Sequence, residues 1–227
     1  MTRLDELRAR MLNYDDVDGA VAASRRLEEE AVPEWLPALH VWLTEPGDFF
    51  LRECTAPAVI RLEGMAALPR LLQAKRLGTE ERHDNDSLQV YITDLVETDP
   101  AAAGEYLLSL AKSEKEEDRS DAAWLLGFIH EDVEPGVMIS LAGDASPRVR
   151  DAACGSLSSF KNNEEVFATL TGRLADPVED VRISAVSALG YYGDRRALAL
   201  LEPLRKEASV NMRRFLEQAL KHLQEER

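Results

Sequence analysis

The side chains best suited to chemistry in this sequence are four histidines and two cysteines, and their spacing assembles no catalytic set. His40, His83, His130 and His222 lie far apart, and none has a partner one helical turn away, as a metal-binding helix requires. Cys54 and Cys154 are 100 residues apart, which points to a reducing compartment rather than a disulfide framework or a zinc site. The sequence contains no Gly-x-Gly-x-x-Gly, no Gly-Lys-Ser/Thr phosphate loop and no Gly-x-Ser-x-Gly elbow. These absences predict no catalytic residue, no metal and no cofactor.

Binding is the remaining chemistry, and two acidic clusters could supply it. The first is Glu80, Glu81, His83, Asp84 and Asp86, around Asn85. It reads as helix-capping residues before Leu88, as a contact loop for a partner, or as an oxygen-lined cation site. The cation reading lacks the regular alternation and the closing glutamate of a calcium loop. The second cluster is Glu116, Glu117 and Asp118, followed by Asp121. It reads either as a solvated capping run or as an acidic ridge for a basic protein. Trp124 stands between leucines and alanines where its register mates, described below, are small or polar. Such a tryptophan is either packed under a neighbouring element or a binding hot spot.

Charge sharpens this picture. The chain has a net charge of −15, and between Glu80 and Asp144 there are 17 acidic residues against 4 basic ones. That excess argues against nucleic acid, which demands a basic face. The N-terminal stretch is charged from the start and no apolar run nears about 18 residues, so no membrane span is expected. A soluble, cytoplasmic protein is the expectation.

Residues at these positions must be carried by helices. Arg119, Arg150, Arg182 and Arg213 recur at intervals of 31, 32 and 31 residues. Seven residues after each comes Leu126, Leu157, Leu189 or Leu220, and three after each comes Ala122, Ala153, Ala185 or Leu216. Those offsets lay one apolar stripe along a helix, with small residues that let paired helices approach. Trp124 falls in register with Thr93, Gly155, Ser187 and Gln218. Gly190 and Gly193 are expected to stop their helix, and Asp194 to cap the next. Second helices are predicted over 66–76, 101–112, 134–141, 164–174 and 196–206. Trp35, Trp42, Tyr191 and Tyr192 are assigned to the core. Arg150 and Arg182 are expected to pair with Asp144, Asp151, Asp176 or Asp180 of neighbouring units.

The segment Asp180-Val181-Arg182 through Asp194 resembles the HEAT repeat, specifically the short bacterial kind called phycobilisome-lyase HEAT-like repeats. The likeness is strongest over residues 114–225 and extends to 47–113. It implies an all-α solenoid of helix pairs, in which each unit buries its apolar side only against the next. On that reading residues 1–46 form an N-terminal helical cap. Residues 47–227 form the repeat array with its C-terminal capping helix, as one continuous domain, and the two acidic loops stack along one edge. His130-Glu131 resembles the His-Glu pairs by which an iron-dependent HEAT-like hydroxylase binds metal, but one pair is no site. The register puts His130 just past a helix end instead.

A protein-binding scaffold or adaptor for a basic partner follows, one form of which is an inhibitor or immunity-like protein. The resemblance also implies an alternative, a bilin-lyase-like enzyme or chaperone, although no catalytic residue carries over.

Overall fold

In a computed structural model, which describes residues 1–225, the chain is all-α with no strand among the described residues. The expected polar C-terminal end runs on to Glu226 and Arg227, which lie outside the described residues. The fold is an α-solenoid of helix pairs, built as two compact units that meet at Asp99 and Pro100. No helix is long and apolar enough to cross a membrane among the described residues.

The first unit contains α1 (Arg3–Met11), α2 (Val17–Glu30), α3 (Leu36–Leu43), α4 (Phe49–Glu63), α5 (Leu68–Glu80) and α6 (Asp86–Thr98). Helices pair as α1 with α2, α3 with α4 and α5 with α6, while α2, α4 and α6 lie side by side. Local chemistry starts these helices. Thr2 and Asp5 form a reciprocal capping box at α1, and the Asp16 and Asp48 carboxylates accept first-turn amides of α2 and α4. Trp42 is buried, with the Arg8 guanidinium over its ring, whereas Trp35 is only half-buried.

The second unit contains α7 (Pro100–Leu110), α8 (Glu116–Leu125), α9 (Pro135–Ala142), α10 (Pro147–Leu157), α11 (Glu164–Arg173), α12 (Glu179–Tyr192), α13 (Ala197–Leu201) and α14 (Val210–Glu225). Each inter-arginine interval holds one helix pair. Helices α8, α10, α12 and α14 pack in series, and α9 packs on α11. Leu126, Leu157, Leu189 and Leu220 are buried to 1% exposure or less, and Ala122, Ala153, Ala185 and Leu216 are wholly buried. The second helices match the predicted spans to within about four residues, except that α13 ends at Leu201 and a 3-10 turn, Glu202–Lys206, completes the span predicted over 196–206. Pro100 and Pro135 open second helices, and Pro147 the first helix α10, at the first position, where no amide partner is needed.

The arginine repeat is a splice between adjacent loops. Arg119 donates through Nε and Nη2 to Asp144 at 2.7 and 2.9 Å, and Arg150 does the same to Asp176 at 2.8 and 2.9 Å. The third nitrogen turns back to the preceding loop, where Arg150 reaches the carbonyls of Asp144 and Ala145. Arg182 keeps that backward bond, to the carbonyls of Asp176 and Pro177, but Ala208 occupies the next aspartate position and the ladder ends. Asp151, expected in the ladder, instead accepts the Ser184 hydroxyl at 2.5 Å, and among the described residues Asp180 takes no arginine.

Gly193 stops α12 with φ of 84°, as expected, but Gly190 does not. Gly190 is buried inside α12, and a Cβ there would lie 2.7 Å from the Cα and Cβ of Ala219 on α14. It is the point of closest helix approach. Gly190→Ala should therefore destabilise the chain: overpacking costs about 1–3 kcal/mol, more than the gain in helix propensity of about 1 kcal/mol. Gly155→Ala, whose Cβ would meet nothing within 4 Å, should stabilise it instead. Denaturant unfolding of the two variants checks the contrast.

Candidate functional site

The acidic clusters are less available than their composition implies. Glu81 bonds Arg52 at 2.6 Å and accepts the Gly47 amide at 2.7 Å, so it is a structural residue and not a free contact. Arg52, 1% exposed, and that amide hold the Glu81 carboxyl below its ordinary range. His83 stacks on Phe49 at a centroid distance of 4.1 Å. Asn85 is the pivot of this turn: it is buried, adopts φ of 58°, and donates back to the carbonyls of Lys75 and His83. Its side chain therefore holds the end of α5 and does not cap α6. Glu80, Asp84 and Asp86 are exposed.

In the second cluster Glu116 is exposed and Glu117 is half-buried. Asp118 accepts the Ser113 hydroxyl at 2.7 Å. Asp121, expected to face a partner, is 1% exposed, because α8 turns it toward the packed side. The first cluster belongs to the first unit and the second to the second. His130 sits past the end of α8 as the register predicts, its Nδ1 3.1 Å from the Gly127 carbonyl and its ring edge-on to Phe160.

Around Trp124 the second unit forms a groove. Trp124 is half-buried and meets Phe128 edge-to-face, with centroids 6.2 Å apart and planes at 89°. Gly127 completes this wall, and α10 with the turn after it supplies Asp151, Ala152, Gly155, Ser156 and Ser159. The cavity measures about 430 Å³. Its two helices are locked together: the Ser156 hydroxyl donates to the Trp124 carbonyl, and a Cβ on Gly127 would overlap Ser156. The floor is open because Gly155 stands in the register position of Trp124 and nothing covers it.

The same face continues with aromatics that the sequence reading missed. Phe128 and Tyr191 are 41% and 52% exposed, so Tyr191 is not a core residue, while its neighbour Tyr192 is buried at 7%. Successive residues on a helix diverge by about 100°, which turns Tyr191 outward while Tyr192 meets the packed side. Tyr191 packs beside His222 at 5.0 Å and, with Phe215 and Gln218, lines a further cavity of about 200 Å³. The signal was available in the register Phe128, Ser159, Tyr191 and His222, which repeats the outward position nine residues after each arginine.

This arrangement offers apolar walls, a vacant floor and one carboxylate. It presents a surface for a side chain, and no metal cluster occurs among the described residues.

The second unit matches the model for HEAT repeats over residues 104–190 and 134–221, together more than half of the chain. No curated protein matches the sequence. Among solved structures, Escherichia coli YibA is similar with a TM-score of 0.45 and 13% identity, over 100% of this chain and 93% of that one. A designed armadillo repeat protein in complex with the peptide (KR)4 is similar with a TM-score of 0.47 and 17% identity, over 98% and 100%. The arginine-leucine register, the serial helix pairs and the family match agree, and the chain belongs to the HEAT-repeat family.

Proposed function

We propose that this protein is a non-enzymatic protein-binding scaffold or adaptor. Its groove between α8 and α10 receives an apolar side chain from a segment of a basic partner protein. The groove itself carries the reading: half-buried Trp124 and exposed Phe128 form one wall, opposite an empty glycine floor. Rigid aromatic walls beside a vacant pocket are the arrangement in which a few residues supply most of the affinity.

Charge supplies the choice of partner. Asp151 lines the groove, and the exposed carboxylate of Glu116 belongs to the same unit, within an acidic stretch of sequence with 17 acidic residues against 4 basic. Such charges mainly raise the rate of encounter with a basic surface, over a range of about 8 Å at physiological salt.

Capture on the immobilised chain, with wild type and Gly155→Leu in parallel, tests this. The leucine fills open space, so folding is retained while the pocket is blocked. A basic partner should be captured, released by moderate salt and lost from Gly155→Leu. Capture indifferent to Gly155→Leu would remove the groove from the reading. Acidic partners alone, or binding unaffected by salt, would remove its electrostatic part.

A further inference from the structure

The first unit has a cavity of its own, of about 470 Å³, on the side where α2, α4 and α6 lie next to one another. Its lining follows helical spacing: Val21, Ser24, Arg25 and Glu28 from α2, Phe50, Glu53, Cys54 and Pro57 from α4, and Ser87 and Tyr91 from α6. Nothing in the acidic loops or the Trp124 groove involves these residues.

The chemistry of this lining is biased toward acceptors. Among the described residues the carboxylates of Glu28 and Glu53 have no hydrogen-bond or ion-pair partner within the chain. Glu53 is half-buried, so an unpaired charge there is costly and a donor from outside would relieve it. Pro57 lies inside α4 and has no amide hydrogen, so the Glu53 carbonyl lacks the donor that position i+4 normally supplies. One residue thus presents an unpartnered carboxylate and a carbonyl without its usual helical donor. The hydroxyls of Ser24, Ser87 and Tyr91 add acceptors, and Phe50 and Tyr91 add aromatic faces.

The frame that holds these groups is rigid. Arg61 at the end of α4 donates to the carbonyls of Glu28 and Ala31 at the end of α2. One basic side chain, Arg25, lines the cavity and is exposed, leaving a formal charge of −1 from these three residues.

From these features we infer that the pocket binds the arginine side chain of a partner segment. A guanidinium is a planar cation with five donors and no acceptor, and it stacks on aromatic faces. A lysine ammonium brings three donors on a compact, strongly hydrated centre and matches the lining less well. The inference stands on the first unit alone and does not depend on the Trp124 groove.

Cys54 provides a local readout. It lines the pocket, it is hydrogen-bonded with Ser24, and burial pushes its thiol up to about 11, so alkylation is slow and best followed near pH 9. Cys154 is wholly buried and serves as an internal check on folding. Alkylation of the full chain by iodoacetamide would be followed by mass spectrometry at physiological ionic strength, with octa-arginine or octa-lysine as probe.

Octa-arginine should slow Cys54 modification several-fold, and octa-lysine should do so less. Glu28→Gln with Glu53→Gln should weaken the protection about tenfold or more, since each carboxylate makes charge-assisted bonds. The charge-matched pair Glu105→Gln with Glu207→Gln, both exposed and outside the lining, should leave it intact. Arg25→Gln should strengthen it. Equal Cys54 rates with and without octa-arginine would overturn the inference, as would equal protection by the two peptides or protection that survives Glu28→Gln with Glu53→Gln. Because Gly155→Leu lies in the other unit, its effect on partner capture is read separately.

Discussion

Asp176→Ala is expected to lower the free energy of unfolding by about 3–5 kcal/mol, because it leaves a buried guanidinium without its counter-ion. The Asp176 side chain is 1% exposed and accepts both Nε and Nη2 of Arg150, together with the Val178 amide at 3.0 Å. The pair is worth little against a well-packed apolar substitute, and the large effect comes from breaking it on one side. Arg150→Ala combined with Asp176→Ala should therefore recover part of the loss, and denaturant melts of the three variants measure it. An Asp176→Ala protein with wild-type stability would show that the splice bears no load.

The same geometry sets a pH dependence. Arg119 holds the Asp144 carboxyl below its ordinary range, and Arg150 does the same to Asp176. A carboxyl whose folded pKa is depressed contributes stability above its unfolded value, about pH 4, and that contribution fades as the pH falls toward the folded value. Wild type should lose stability below about pH 4 more steeply than Asp176→Ala. The exposed pair of Arg205 with Glu217 should contribute almost nothing by comparison, since solvent screens it.

Trp124→Ala should weaken binding of the captured partner by about 30-fold, corresponding to about 2 kcal/mol, the lower bound for an interfacial hot spot. The side chain is half-buried and meets Phe128 edge-to-face, so part of its area remains for a partner. Trp124→Phe should retain most of the affinity, because the aromatic wall persists. Titration of the purified partner, alongside circular dichroism to confirm the helices, measures both. Unchanged affinity on Trp124→Ala would place the interface elsewhere.

The helical register, the buried leucines and alanines, and most helix boundaries in the second unit were readable along the chain. Each depends on offsets of three, four and seven residues and on proline or glycine at a terminus, which are local properties. The Arg150–Asp176 rung was also readable, since a repeat places equivalent loops side by side, whereas the Arg119–Asp144 rung was not foreseen and Arg182 reaches backbone carbonyls instead. Contacts between non-equivalent residues were not readable. Whether Glu81 is free depends on Arg52, 29 residues earlier, and whether Gly190 ends a helix or admits one depends on Ala219. Tyr191 and Tyr192 each meet a neighbouring helix, Tyr191 beside His222 and Tyr192 at Asn163, and only the packing leaves the first exposed and the second buried. The empty floor at Gly155 and the acceptor-lined pocket of the first unit are likewise products of stacking. A residue's own type and spacing establish the helix that carries it, but its exposure and its unpaired atoms depend on helices about thirty residues away, and only packing brings those together.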